Sequence, residues 1–156
     1  MMNILKPVFL LVLLTSNAAL NISFAKQGLA ITAQDSFVRE TIPGTNISSA
    51  YMTLNNGSDK DLRLVSAISS VSERVEIHEH TMDGGMMRMR QRDFVEILAK
   101  DSTVFQPSGY HLMIFDLKQP LKADENIIIT LQFDDQSSID VKYLVKGLKQ
   151  KQHHHH

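Results

Sequence analysis

"VSERVEIHEH" (Val71–His80) carries the period that decides the fold. Val75 and Ile77 fall on one side of an extended chain, and Glu76, His78 and His80 on the other, because successive side chains along a strand point to opposite faces. One face meets a core; the other carries polar groups. "IDVKYLV" (Ile139–Val145) repeats the pattern, with Ile139, Val141, Tyr143 and Val145 alternating with Asp140 and Lys142. This is the half-buried alternation of antiparallel sheets, and it predicts an all-β protein built as a two-sheet sandwich.

The rest of the chain agrees. From Leu29 onward, short runs rich in β-branched and aromatic residues alternate with turn signals, and no stretch has helical periodicity. Strands are predicted over Leu29–Arg39, Ala50–Leu54, Leu62–Ile68, Arg74–His80, Met86–Gln91, Thr103–Phe105, His111–Phe115, Ile127–Phe133 and Ile139–Val145. Between them stand "PGTN", "NNGSD", "DGG", "PSG", "KADEN" and "DDQSS", composed of the residues that turns use.

Residues 1–25 read as a secretory signal peptide: Lys6 supplies the positive start, "PVFLLVLLT" (Pro7–Thr15) a short apolar run, and "SFA" (Ser23–Ala25) the small residues before a cut. A cut after Ala18 fits the same rule. The apolar run is shorter than the roughly 20 residues of a membrane span, so an exported chain with no stable membrane insertion is expected. The periplasm is the compartment expected for it. Residues 26–148 then suit one domain, followed by a flexible His-rich tail over 149–156.

Composition narrows the chemistry. With 16 Lys and Arg against 17 Asp and Glu, nothing in the bulk charge points to nucleic acid or an acidic membrane. The absence of cysteine excludes disulfides, thiolate zinc sites, a cysteine nucleophile, a lipid-modified cysteine and the thiolate of a blue-copper carrier. Any metal chemistry must use imidazole, carboxylate or thioether.

Those donors are gathered in one window. Apart from the four terminal histidines, every histidine (His78, His80, His111) lies there, as does every methionine after the leader except Met52. "HEHTMDGGMMRMR" (His78–Arg90) crowds two histidines and four methionines around a tight turn, and turns run near water. A hairpin loop of Asp83–Gly84 would put His78 opposite Met89; a loop of Gly84–Gly85 would put His80 there instead. In "GYHLMIF", His111 and Met113 are two apart and share a strand face. Two such N,S pairs on neighbouring strands would surround one ion with two nitrogens and two soft sulfurs, a set that selects Cu(I) over zinc, magnesium or calcium. With no anionic donor, a shallow site is cheaper than a deep one, and a shallow site lets a partner exchange ligands.

These residues resemble the periplasmic copper chaperones of the PCu(A)C type. That family's pattern is His or Met, ten residues, Met, twenty-one residues, then His-x-Met, and it falls here on His78, Met89, His111 and Met113. "SAYMTLNN", "VEIHEHTMDGGMMRMR", "PSGYHLMIFDLKQPLK" and "ITLQFDD" are similar as well. The resemblance implies a cupredoxin-like (Ig-like) Greek-key β-sandwich, a monomer without enzymatic turnover, binding Cu(I) through those four residues. It implies a cuproprotein acceptor, the CuA site of cytochrome c oxidase subunit II, reached directly or with a Sco-type thiol chaperone. It also selects His78 over His80, and with it the register that faces His78 to Met89. Copper storage or resistance, and a plain sandwich used as an interaction module, are the rival functions. The tail "KQKQHHHH", whether native or a tag, is a place where Cu(II) could bind.

Overall fold

Alternation and turn chemistry produce strands throughout. The computed structural model describes residues 31–147, and every helix or strand among them is a strand. In order these are β1 (Ile31–Arg39), β2 (Ser48–Asn56), β3 (Leu62–Ile68), β4 (Arg74–Asp83), β5 (Met86–Gln91), β6 (Val95–Ile97), β7 (Ser102–Phe105), β8 (Tyr110–Phe115), β9 (Asn126–Phe133) and β10 (Ser138–Lys146). The leader, its two cleavage positions and the His-rich tail lie outside the described residues. All nine expected strands are present. The additional one, β6, has three residues, Val95 and Ile97 inward and Glu96 outward, too short a run to show a period.

The strands hydrogen-bond in the order β5-β4-β8-β7-β2-β1-β10-β9-β3-β6, with β8 also pairing directly to β2. This ribbon folds over itself into a Greek-key sandwich: β3 of one layer lies against β4 of the other, and β6 against β2 and β7. Strand β1 joins the layers. It runs antiparallel to β2 along its length, takes a bulge between Gln34 and Phe37, and then also pairs parallel to β10 through Phe37, Val38 and Arg39. A bulge bends and twists a strand, which lets one strand serve two layers.

Inward positions fill the space between the layers: Ala50, Met52 and Leu54 from β2, Leu112 and Ile114 from β8, Ile127, Ile129, Leu131 and Phe133 from β9, Val141, Tyr143 and Val145 from β10. Each large aliphatic side chain so buried contributes about 1.5–3 kcal/mol. Met52, the methionine apart from the cluster, belongs to this core, where its sulfur accepts a hydrogen bond from the buried Tyr143 hydroxyl. Burial pushes the Tyr143 phenol well above its ordinary range, so it stays a neutral donor. Since Leu112 and Ile114 point inward, His111, Met113 and Phe115 must point outward. The same parity turns Glu76, His78 and His80 outward from β4, where Ile77 faces the core.

Candidate metal centre

The turn between β4 and β5 sets which outward residues meet. Gly84 and Gly85 have φ of 59° and 81°, the two positive values a type I′ hairpin loop requires, and Asp83 pairs with Met86 across it. His80 therefore faces Met89, and His78 faces Gln91. This corrects the expectation that selecting His78 brings the Asp83–Gly84 loop. Two glycines take the left-handed conformation without the steric cost that a side chain at the first position would carry.

On its other edge β4 pairs with β8, setting His78 opposite His111 and Glu76 opposite Met113. All four residues of the family pattern thus lie on one outer sheet face. Met89 and Met113 are the two diagonal neighbours of His78, one on each adjoining strand, and diagonal positions are within reach of long side chains. The rings of His78 and His111 lie 6.0 Å apart. His80 joins them: its ring stacks on His111 at 4.8 Å and 20°. It lay outside the expected ligand set, and its signal was the shared parity with His78.

Exposure is graded across the site. His78 and His111 are 8% and 2% exposed, Met113 is half-buried, and Met89 is 47% exposed. The imidazoles thus sit deeper than a wholly surface site, and the thioether of Met89 is at the rim. Aromatic rings make the burial possible on an outward face, Phe115 lying 5.9 Å from His78 and Tyr51 6.3 Å from His111.

Hydrogen bonds leave one nitrogen of each buried ring available. Nε2–H of His78 donates to the Glu76 carboxylate at 2.8 Å, while Nδ1 is buried without a partner. Glu76, partly buried, thus serves as an orienting acceptor for the His78 ring rather than as a solvated charge. Nδ1–H of His111 donates to the Gly109 carbonyl at 3.1 Å, which directs its other nitrogen's lone pair elsewhere. Such outer acceptors fix the tautomer and orientation of a metal-ligating histidine. Burial holds the His111 imidazole below the ordinary histidine range; the Gly109 carbonyl opposes this, and His80 and His78 reinforce it. A neutral imidazole is the ligating form. On the sulfur side, Ser49 Oγ–H donates to Met113 Sδ at 3.3 Å, restraining that side chain.

Among the described residues no three His, Asp or Glu side chains converge as a metal site. Met89 and Met113 would add two thioethers to the imidazoles of this face, and such a donor set is neutral and soft. The remaining methionines stand open at the hairpin, Met82, Met86 and Met87 all exposed. Arg88 and Arg90 both lie 3.5 Å from the Asp83 carboxylate, so their charges are partly matched within the hairpin.

The family described as "Putative lipoprotein LpqE-like" matches residues 31–145. Protein RP573 of Rickettsia prowazekii (strain Madrid E) is 34% identical over 98 residues, and Lxx21020 of Leifsonia xyli subsp. xyli, which bears a lipoprotein name, is 30% identical over 104. The alignments cover 61% and 66% of this chain and span 54% and 63% of those curated relatives. Among solved structures, Cu(I)-loaded DR1885 from Deinococcus radiodurans is 34% identical, with a TM-score of 0.63 over 78% of this chain and 81% of that one. Apo-DR1885 is 32% identical, with a TM-score of 0.60 over 94% and 97%. The copper-bound PCuAC domain of PmoF2 shares the fold at a TM-score of 0.65 and 18% identity, over 76% and 93%. One face carrying His78, Met89, His111 and Met113 on a Greek-key sandwich, and a family match across nearly every described residue, lead to one conclusion: the chain belongs to the LpqE-like family, the family of the PCu(A)C-type domains.

Proposed function

We propose that this protein is a copper chaperone that holds one Cu(I) through His78, Met89, His111 and Met113 and passes it to a copper-requiring acceptor. The observation that carries this reading is the pair of buried imidazoles, one tied back to Glu76 and the other to Gly109, with the His78 Nδ1 left unpartnered beside two thioethers on the same face. A buried polar atom without a partner is costly, and a bound ion would remove that cost. Four neutral donors suit a soft monovalent cation. The copper carried by DR1885 and PmoF2 supports the same assignment.

Exposure of Met89 favours transfer over storage. An incoming ligand reaches the ion from the Met89 side while the imidazoles keep their hold, which is ligand exchange without unfolding. No chemical turnover enters this role. The acceptor we propose is the CuA centre of cytochrome c oxidase, met directly or through a Sco-type thiol chaperone, in the periplasm to which the leader sends the chain as a monomer. Cu(II) capture by His153–His156 would be a separate activity of the tail.

Anaerobic titration against a Cu(I)-specific competitor, with His153–His156 replaced by Ser, tests the site. One tight equivalent should be lost on Met89→Ala or Met113→Ala, and X-ray absorption should report both nitrogen and sulfur donors. Unchanged affinity in both variants rejects the assignment.

A further inference from the structure

The β4–β5 hairpin has two unlike faces. On one, Asp83 takes both Arg88 and Arg90, and Glu79 takes Arg92 at 3.6 Å. On the other, Met82 pairs directly with Met87, and the next pair inward is His80 with Met89. Met82 and Met87 are 68% and 60% exposed, so neither sulfur serves the core. The solubilising charges occupy one side, leaving two thioethers open on the other. Met86 falls on the charged face opposite Asp83 and takes no part.

His80 supplies a nitrogen beside them. Its Nδ1 is buried and has no hydrogen-bond partner. Directly opposed residues keep their Cβ atoms roughly 4.5–5.5 Å apart, and diagonal positions on the neighbouring strand, as His80 and Met87 are, lie within reach of long side chains. One imidazole and two thioethers therefore share a small patch outside the four-residue site, again with no anionic donor, a set that prefers a soft monovalent cation.

We infer that His80, Met82 and Met87 form a second, outer position for a soft monovalent cation, distinct from the site of His78, Met89, His111 and Met113. It abuts that site through the His80–Met89 pair, and its exposure makes it the weaker of the two. The binding stands independently of the chaperone reading above.

Ag(I) titration of the protein with His153–His156 replaced by Ser, its methionine methyl groups and histidine rings labelled and observed by NMR, separates the positions residue by residue. The first equivalent should shift the Met89 and Met113 methyls; further Ag(I) should shift Met82, Met87 and the His80 ring. In the Met82→Leu/Met87→Leu variant the further His80 shift beyond the first equivalent should vanish while the Met89 and Met113 shifts persist; leucine at these exposed positions leaves the core untouched. Met82 and Met87 methyls that stay in place through excess Ag(I), or a His80 shift that still grows beyond the first equivalent in the double variant, would overturn the inference. Movement of Met82 and Met87 without Met89 and Met113 would uphold the outer position and reject the inner one.

Discussion

Replacing Glu76 by Gln isolates one charge at the proposed copper site. Glu76 Oε2 accepts the His78 Nε2–H at 2.8 Å, and glutamine can accept the same bond, so the ring keeps its tautomer and loses only the anion behind it. An ion on Nδ1 would sit about 7 Å from that carboxylate, adding the hydrogen bond, the ring and a metal–nitrogen bond of about 2 Å. Opposite unit charges at that distance attract by about 0.6 kcal/mol in bulk water and about 2.4 kcal/mol at an effective dielectric of about 20. The Glu76 side chain is 23% exposed, which places the real value between these limits, near about 1.4 kcal/mol or tenfold in Kd. Arg74, 3.5 Å from Glu76, is left less compensated in the variant, which acts in the same direction. Glu76→Leu removes the acceptor as well and should approach the upper end of the roughly 10–100-fold effect of an outer acceptor. Competition titration at fixed ionic strength reads both, with circular dichroism confirming the fold. A Glu76→Gln protein that binds Cu(I) as tightly as the parent would refute the reasoning and leave Glu76 as an anchor for the apo ring only.

Three further outcomes are expected. His111, held below the ordinary histidine range by burial, should titrate by NMR below about 6.5 in the apo protein; because the unfolded chain then binds the proton more readily, His111 contributes a loss of stability as pH falls from about 6.5 to its folded value and none above. Leu112→Ala empties a fully buried position behind the site and should cost about 2–5 kcal/mol in denaturant unfolding, with a cost below about 1 kcal/mol contradicting the packing described. Gly85→Val forces a β-branched residue to a φ of 81° and should destabilise the hairpin by about 1–3 kcal/mol, seen as faster amide exchange in β5 relative to β9.

Period-two alternation is a local property, and it was legible. Val75 and Ile77 against Glu76 and His78 gave the faces of β4, and Ile139–Val145 those of β10, because one side of each strand must leave water. The grouping of His with Met was equally legible, while the choice of His78, Met89, His111 and Met113 among them came from the resemblance to the PCu(A)C-type family. Three residues of β6 were not, because Val95 and Ile97 acquire meaning only when β3 arrives to pair with them.

The hairpin register belongs to neither class. Asp83-Gly84-Gly85 supports two loops, and only the backbone conformation of Gly84 and Gly85 chooses the one that sets His80 against Met89. Fold class and the chemical kind of donor were thus determined by the order of residues alone, through alternation, turn composition, the lack of cysteine and the grouping of His with Met. Pairing of β4 with both β5 and β8, the burial of His78 and His111 under Phe115 and Tyr51, and the free Nδ1 of His78 were decided by tertiary structure. The reason is physical: solvent exclusion and hydrogen-bond partners depend on segments far apart in sequence, and no local pattern records which of them will meet.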